Sequence, residues 1–342
     1  MFHWRALSLI VSIILCILST SIPAQGAQAD DELRQRATAQ FGALEPVSRD
    51  ERSEPAVELG RALFWDTRLS SDGKTACASC HLPEAYGSDA RPRSITARGT
   101  ETAMHSMTVF NTQTAAAGQR WFADRESGRA QAIGSITGSM GFDREEDLLR
   151  VLSEQGYADR FAQAFPEAED PLRVEHYGAA LEAYERSLRT PAAFDDWLQG
   201  DDQAIDEEQK AGLSRFLDMG CAACHGGELF GGGALQKFGL LADYWEHTGS
   251  SEVHDGLMTM TGDESDRYVF RVAPLRNVAA TAPYFHDASV QTLEDAVKVM
   301  ARVQLGQTLD EDATGEIVRF LESLTGEVPE HFSAPEGVPG PE

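Results

Sequence analysis

The sequence predicts an all-α protein built from two similar halves. Three observations predict it. Apolar residues recur at three- and four-residue steps through most of the chain, and strand-like alternation is nearly absent. A Cys-x-x-Cys-His motif also occurs once in each half, after a short apolar helical stretch, as a weak internal repeat. The motifs are Cys77-Ala78-Ser79-Cys80-His81 and Cys221-Ala222-Ala223-Cys224-His225, the second beginning 144 residues after the first.

Taken in order, Arg5, the apolar run Ala6 to Leu18 and the Ala27-Gln28-Ala29 site have the form of a secretory signal over residues 1–29. The run is too short to span a bilayer comfortably, so a periplasmic protein with no membrane anchor after cleavage is expected. Residues 30–190 are expected to form the first domain, with Leu59 to Phe64 leading into the first motif. Val174, Tyr177, Leu181, Tyr184 and Leu188 supply one stripe of an amphipathic helix in it. Thr190 to Ala204, with Pro191 and Gly200, reads as a linker.

The second domain is expected over residues 191–327. Asp206-x-x-Gln209 reads as a capping box opening a helix through Leu213, Phe216 and Leu217 into the second motif. Thr292-x-x-Asp295 and Thr308-x-x-Glu311 read as two further helix starts. The last helix carries the stripe Ile317, Phe320, Leu321 and Leu324, with Gly326 as its expected C-terminal cap. The Pro-, Gly- and Glu-rich tail, 328–342, is expected to drape over the surface or stay disordered.

Each motif is the attachment signature of a c-type haem. Two thiols add across the two vinyl groups of one porphyrin, and the adjacent His becomes the proximal iron ligand. A bare Cys-x-x-Cys would also suit a redox dithiol or half a zinc site, but two copies each completed by His favour haem. Four of the five cysteines are used, and the fifth, Cys16, lies in the signal. The fold expected is therefore two cytochrome c-like haem domains joined by long loops, carrying two covalently bound haems.

The sixth ligand of each iron separates electron transfer from catalysis. For the second haem, Met300 is the candidate, sharing a helix face with Leu293, Ala296 and Val297, although helical spacing alone favours a core methionine. The first haem has no obvious partner, and Trp121 and Gln131 lie nearby in sequence. With 55 acidic and 29 basic residues, the formal net charge is −26. Such a surface repels nucleic acid and steers a basic partner such as a small electron carrier, although it also serves plain solubility.

The chain resembles the bacterial di-haem cytochrome c peroxidase superfamily, which includes MauG-like enzymes, over essentially the whole mature sequence. The matching stretches include Leu59 to Ser70, Tyr268-Val269-Phe270-Arg271, Pro274-Leu275-Arg276-Asn277-Val278, Thr281-Ala282-Pro283-Tyr284-Phe285-His286 and Phe320 to Gly326. The resemblance implies a high-potential electron-entry haem ligated by His225 and Met300, and a low-potential peroxidatic haem on His81. It places Trp121 between the haems, Gln131 in the distal pocket, and an inter-domain Ca²⁺ on the backbone carbonyls of Thr281 and Pro283. Hydrogen peroxide is the implied substrate, a small cytochrome c or cupredoxin the implied donor, and a homodimer the implied assembly.

Three positions depart from the family pattern. Ala97 or Arg98 stands where typical members carry a displaceable distal His, which implies an iron open to peroxide, with Arg98 as the candidate to polarise the departing oxygen. Ser139 stands in place of the distal Glu that moves the proton during O–O cleavage, and a hydroxyl is a poor substitute at neutral pH. Glu126, Asp143 and His105 are the candidates to replace it. His105 itself occupies the place of an Asn calcium ligand. A peroxidase is the leading expectation, with a MauG-like oxidase of a partner protein and a non-catalytic electron carrier or sensor as alternatives.

Overall fold

The computed structural model describes residues 22–112 and 117–341. The apolar core of the expected signal, with Cys16, lies outside them. The described chain is mainly helical, its main helices being α1 (Ile22–Thr38), α2 (Pro55–Trp65), α3 (Gly128–Thr137), α4 (Glu145–Glu154), α5 (Ala158–Ala164), α6 (Val174–Arg186), α7 (Ala193–Leu198), α8 (Glu207–Asp218), α9 (Leu293–Leu305) and α10 (Glu311–Glu322). The strands β1 (Leu235–Lys237) and β2 (Val269–Arg271) pair antiparallel, Leu235 opposite Arg271. Among the described residues no helix is long and apolar enough to cross a membrane.

Two buried clusters organise the molecule. The first takes Leu59, Leu63 and Phe64 of α2, Ile136 of α3, Leu148 of α4, Phe161 of α5 and Tyr177, Leu181 and Tyr184 of α6. The second takes Phe194 and Trp197 of α7, Leu213 and Phe216 of α8, Leu293, Ala296 and Val303 of α9 and Ile317 and Phe320 of α10, together with Ala37 and Phe41 from the N-terminal end. The same device sets the helix crossing in each half. A Cβ on Gly60 of α2 would lie 1.9 Å from the Ala180 carbonyl of α6, and one on Gly212 of α8 would lie 1.9 Å from that of Glu316 in α10. Only glycine allows either approach, and each crossing orients the helix that leads to a Cys-x-x-Cys-His motif.

Helix starts follow side-chain capping. Asp206 and Gln209 form the expected reciprocal box, and Thr292 accepts from Asp295 N. The last helix starts later than its Thr308-x-x-Glu311 pattern suggests, because Asp310 caps it by accepting from Ala313 N. Gly326 is not its cap either: the helix closes at Ser323, and the Gly326 N–H donates to Asn277 Oδ1 at 3.0 Å.

Two other expectations need correcting. The stretch read as a linker contains α7, whose Phe194 and Trp197 are fully buried, so it is part of the second core. The tail is neither loose nor merely superficial, because Phe332 and Val338 enter the first core. The Phe332 ring meets Phe110 at 4.8 Å, Trp65 at 5.5 Å and Phe64 at 5.7 Å. Bonds to its carbonyls hold it there, backbone Thr67 N donating to Pro339 O and side-chain Arg61 Nε to Ser333 O.

Candidate functional site

Each Cys-x-x-Cys-His motif forms a single 3₁₀ turn, Cys77–Ser79 and Cys221–Ala223. The turn closes when the histidine N–H donates to the carbonyl of the first cysteine, 3.1 Å for His81 and 2.9 Å for His225. Both rings are then fixed in the same way. His81 Nδ1 lies 2.8 Å from Gly87 O and His225 Nδ1 3.0 Å from Phe230 O. A proton on Nδ1 satisfies that contact and leaves the Nε2 lone pair for a metal, the usual arrangement of a ligating histidine.

The thiols fit the same chemistry. All four motif cysteines are free and half-buried. Burial pushes Cys77 up to about 12 and Cys221 up to about 11, so these are protonated thiols in apolar surroundings rather than poised thiolates. That environment suits a porphyrin edge and argues against a thiol–disulfide couple. Burial likewise holds both histidines neutral, as iron ligation requires.

In the second half, Met300 and Val297 of α9 pack against the cluster that also receives Cys221. The opposite face of α9, with Asp295, Lys298 and Arg302, lines a surface cavity of about 570 Å³. Met300 therefore faces the second haem motif's own core and not that cavity.

Trp121 joins the halves. Its Nε1 donates to His105 O at 2.9 Å, and its carbonyl accepts from Arg271 N of β2 at 2.7 Å. Its ring lies edge-on to His286 at 6.3 Å. His105 N in turn donates to His286 O at 2.9 Å, so the loop after the first motif is tied to the Thr281–His286 loop through backbone. Thr281 and Pro283 lie in that loop, Thr281 Oγ1 bonding Val278 O. Among the described residues no group of three or more His, Cys, Asp or Glu side chains is arranged to hold a metal, so a cation there would depend on carbonyl oxygens.

The expected distal residues are brought together less completely. Gln131 lies half-buried in the first turns of α3, and Ser139 sits just past its end. The Ser139 carbonyl accepts from Ala97 N at 2.8 Å, so the Ala97–Arg98 loop packs on the turn after α3. Arg98 is turned away from an open role: its guanidinium donates to Gly141 O, Phe142 O and Asp143 Oδ1. Asp143 is 90 % exposed and engaged with Arg98, and Glu126 is exposed. His105 is buried, with Nδ1 3.1 Å from Arg91 O. None of the three candidate acids is both buried and unengaged.

Sequence reading missed a polar junction between the halves. Thr190 N donates to Asn111 Oδ1, and Thr190 Oγ1 accepts from both Asn111 Nδ2 and Asn277 Nδ2. Nothing in periodicity marks three uncharged residues so far apart as partners.

Residues 54–203 match the family described as di-haem cytochrome c peroxidase. The cytochrome c551 peroxidase of Pseudomonas aeruginosa is 40 % identical over 320 residues, covering 92 % of this chain and 91 % of that protein. The chain belongs to the di-haem cytochrome c peroxidase family. As a member of that family it is an oxidoreductase with two haems. The methylamine utilization protein MauG of Methylophilus methylotrophus is 29 % identical over 297 residues, covering 82 % of this chain and 85 % of that one. Among solved structures, a MauG-like protein associated with microbial copper homeostasis superposes with a TM-score of 0.74 at 26 % identity, covering 86 % of this chain and 97 % of its own.

Proposed function

We propose that this protein reduces hydrogen peroxide to water in the periplasm, taking electrons one at a time from a small cytochrome c or cupredoxin. Cys221, Cys224, His225 and Met300 would hold the haem that receives electrons, Cys77, Cys80 and His81 would hold the haem that meets peroxide, and Trp121 would relay electrons between them. When bound, the haems supply the redox couples and the iron at which the O–O bond is cleaved. The observation that carries this reading is the position of Trp121, hydrogen-bonded to the first half through His105 and to the second through Arg271.

The chain's own residues divide the remaining work. The carbonyls of Gly87 and Phe230 fix the two proximal imidazoles, so ring orientation is built in before any electron arrives. Gln131 positions peroxide, and Arg98 holds the turn that shapes the distal loop. Proton transfer is the weak step, because Ser139 offers a hydroxyl where a carboxylate would be worth about 10²–10⁴ in rate. Covalent attachment of both haems and export through the N-terminal signal belong to this reading, as does Ca²⁺ on the carbonyls of Thr281 and Pro283. The formal charge of −26 favours a basic donor.

Stopped-flow mixing of the half-reduced protein with stoichiometric H₂O₂ tests the proposal. Rapid oxidation of the Met-ligated haem is expected. A reaction no faster than that of an exposed haem peptide would reject peroxide reduction in favour of electron carriage or sensing.

A further inference from the structure

The tail after α10 crosses α2 and α6, and a histidine is among its anchors. The Tyr184 hydroxyl donates to His331 O at 3.1 Å, and Arg61 donates to both the carbonyl and the hydroxyl of Ser333. Thr67 ties the far end through its backbone N–H and Oγ1, both donating to Pro339 O. The His331 ring adds a bond whose direction can be assigned. The Ser187 hydroxyl donates to Tyr184 O at 2.6 Å, so its oxygen is left to accept from His331 Nε2, 2.9 Å away. The neutral ring therefore carries its proton on Nε2 and its lone pair on Nδ1. Nδ1 is buried and has no partner. A second proton would have to enter an enclosed position with no acceptor for it.

Charge acts in the same direction. The titratable groups near the ring are Arg52 at the end of the short helix Arg49–Arg52, Glu58 and Arg61 on α2, Tyr184 and Glu185 on α6, and Glu330 beside it in the tail. Glu58 and Glu185 act on the Tyr184 hydroxyl, and Glu330 is exposed. The charges acting on His331 itself are Arg52 and Arg61, and both oppose protonation. Burial is the larger cause, against which the Ser187 backbone slightly favours the proton, and the imidazole is held down to about 4.

We propose that residues 328–341 form an acid-released strap over the first half, with His331 as its latch. At neutral pH the uncharged ring stays in its enclosed position and the strap is shut. As the medium acidifies, the imidazole gains its second proton by leaving that position, and the tail lifts with it. Opening withdraws the Phe332 ring from Phe64, Trp65 and Phe110. The Phe64 ring also lies 6.2 Å from that of His81, so release reaches the packing beside the first motif. The strap does not depend on peroxide turnover and stands or falls separately from the function above.

Hydrogen exchange of the holoprotein, read by mass spectrometry between pH 7 and 5, tests it by comparing wild type with His331→Gln. The reporters are the tail peptide and the peptide containing Thr67, whose amide bonds Pro339 O. Protonation of the released ring raises the ratio of open to closed strap by up to about tenfold per pH unit below ~6.5. Corrected for intrinsic exchange rates, protection of both peptides should fall by up to that factor in wild type, while α8 and α10 keep theirs. Gln can still donate to Ser187 but takes up no proton, so H331Q should hold its protection as pH falls. Should H331Q loosen the tail already at pH 7, Arg52→Gln carries the test, since removing a repelling charge should move the loss to lower pH. Wild-type protection that does not change with pH would overturn the strap. So would a loss matched in the variant, or one shared by α8 and α10, which would mark general acid unfolding.

Discussion

Asp195 and Arg276 form a bidentate ion pair in the second core, with N–O distances of 2.6 and 2.7 Å and both side chains 1 % exposed. Asp195 also accepts from the backbone N–H groups of Leu44 and Ala192, and Arg276 donates to the carbonyls of Glu228 and Gly42. One pair thus fastens the N-terminal arm, α7 and the loop after the second motif to one another. Removing a single partner leaves a charge buried and unpaired, a loss of about 3–5 kcal/mol. Asp195→Ala should therefore lower the urea midpoint sharply. A change under about 1 kcal/mol would show that the pair is not a stabilising junction.

Trp121→Phe keeps an aromatic ring but removes the Nε1 donation to His105 O. Inter-haem transfer in the half-reduced protein should slow about tenfold or more, equivalent to at least ~1.4 kcal/mol on the barrier. Both haem spectra should persist. Unchanged transfer would remove Trp121 from the electron path.

On the ligation proposed above, Met300→Ala should abolish the high-potential couple while leaving the His81 haem spectrum as it was, because a thioether ligand would act only on the second iron. An unaltered redox titration would return Met300 to the role of a core side chain.

Ser139→Glu restores a carboxylate at a half-buried position whose backbone already anchors the Ala97–Arg98 loop. Peroxide-driven oxidation should accelerate, by up to about 10²–10⁴ if proton transfer limits the rate. No gain would place the limiting step elsewhere.

Acid should weaken the fold before the carboxylates titrate. His286 and His331 are each held down to about 4, in both cases chiefly by burial. Asp287 partly opposes this at His286, while Arg52 and Arg61 reinforce it at His331. Both groups are neutral when folded and protonate more readily when unfolded. Their stabilisation is therefore complete above about pH 6.5 and is lost as pH falls towards 4, each by at most about 1.4 kcal/mol per pH unit. His331→Gln should flatten the decline in urea midpoint between pH 7 and 5, and a slope identical to wild type would discount His331.

What could be read in the sequence was local or chemically unmistakable. Asp206-x-x-Gln209 needs only its own four residues to cap α8, and the Cys-x-x-Cys-His turns close on themselves. The failures involve distant partners. Helix α7 looked like a linker because its Asp195 is satisfied by Arg276, which arrives 81 residues later. Arg98 looked available for catalysis because the Gly141–Asp143 turn that engages it lies more than 40 residues away. The apolar content of the tail was too sparse to predict Phe332 in a core whose other members end at Leu188 and Val338.

That exchange of segments has a bearing on how the chain matures. Phe332 and Val338 complete the first cluster, while Ala37 and Phe41 complete the second. Each half borrows its closing piece from beyond the other half, so neither could be excised as an autonomous unit. The first half emerges early from synthesis, yet its hydrophobic seal comes from Phe332 and Val338, beyond the whole second half. Until they arrive, Phe64 and Phe110 lack the Phe332 ring that packs against both, and the tail then serves as the stopper.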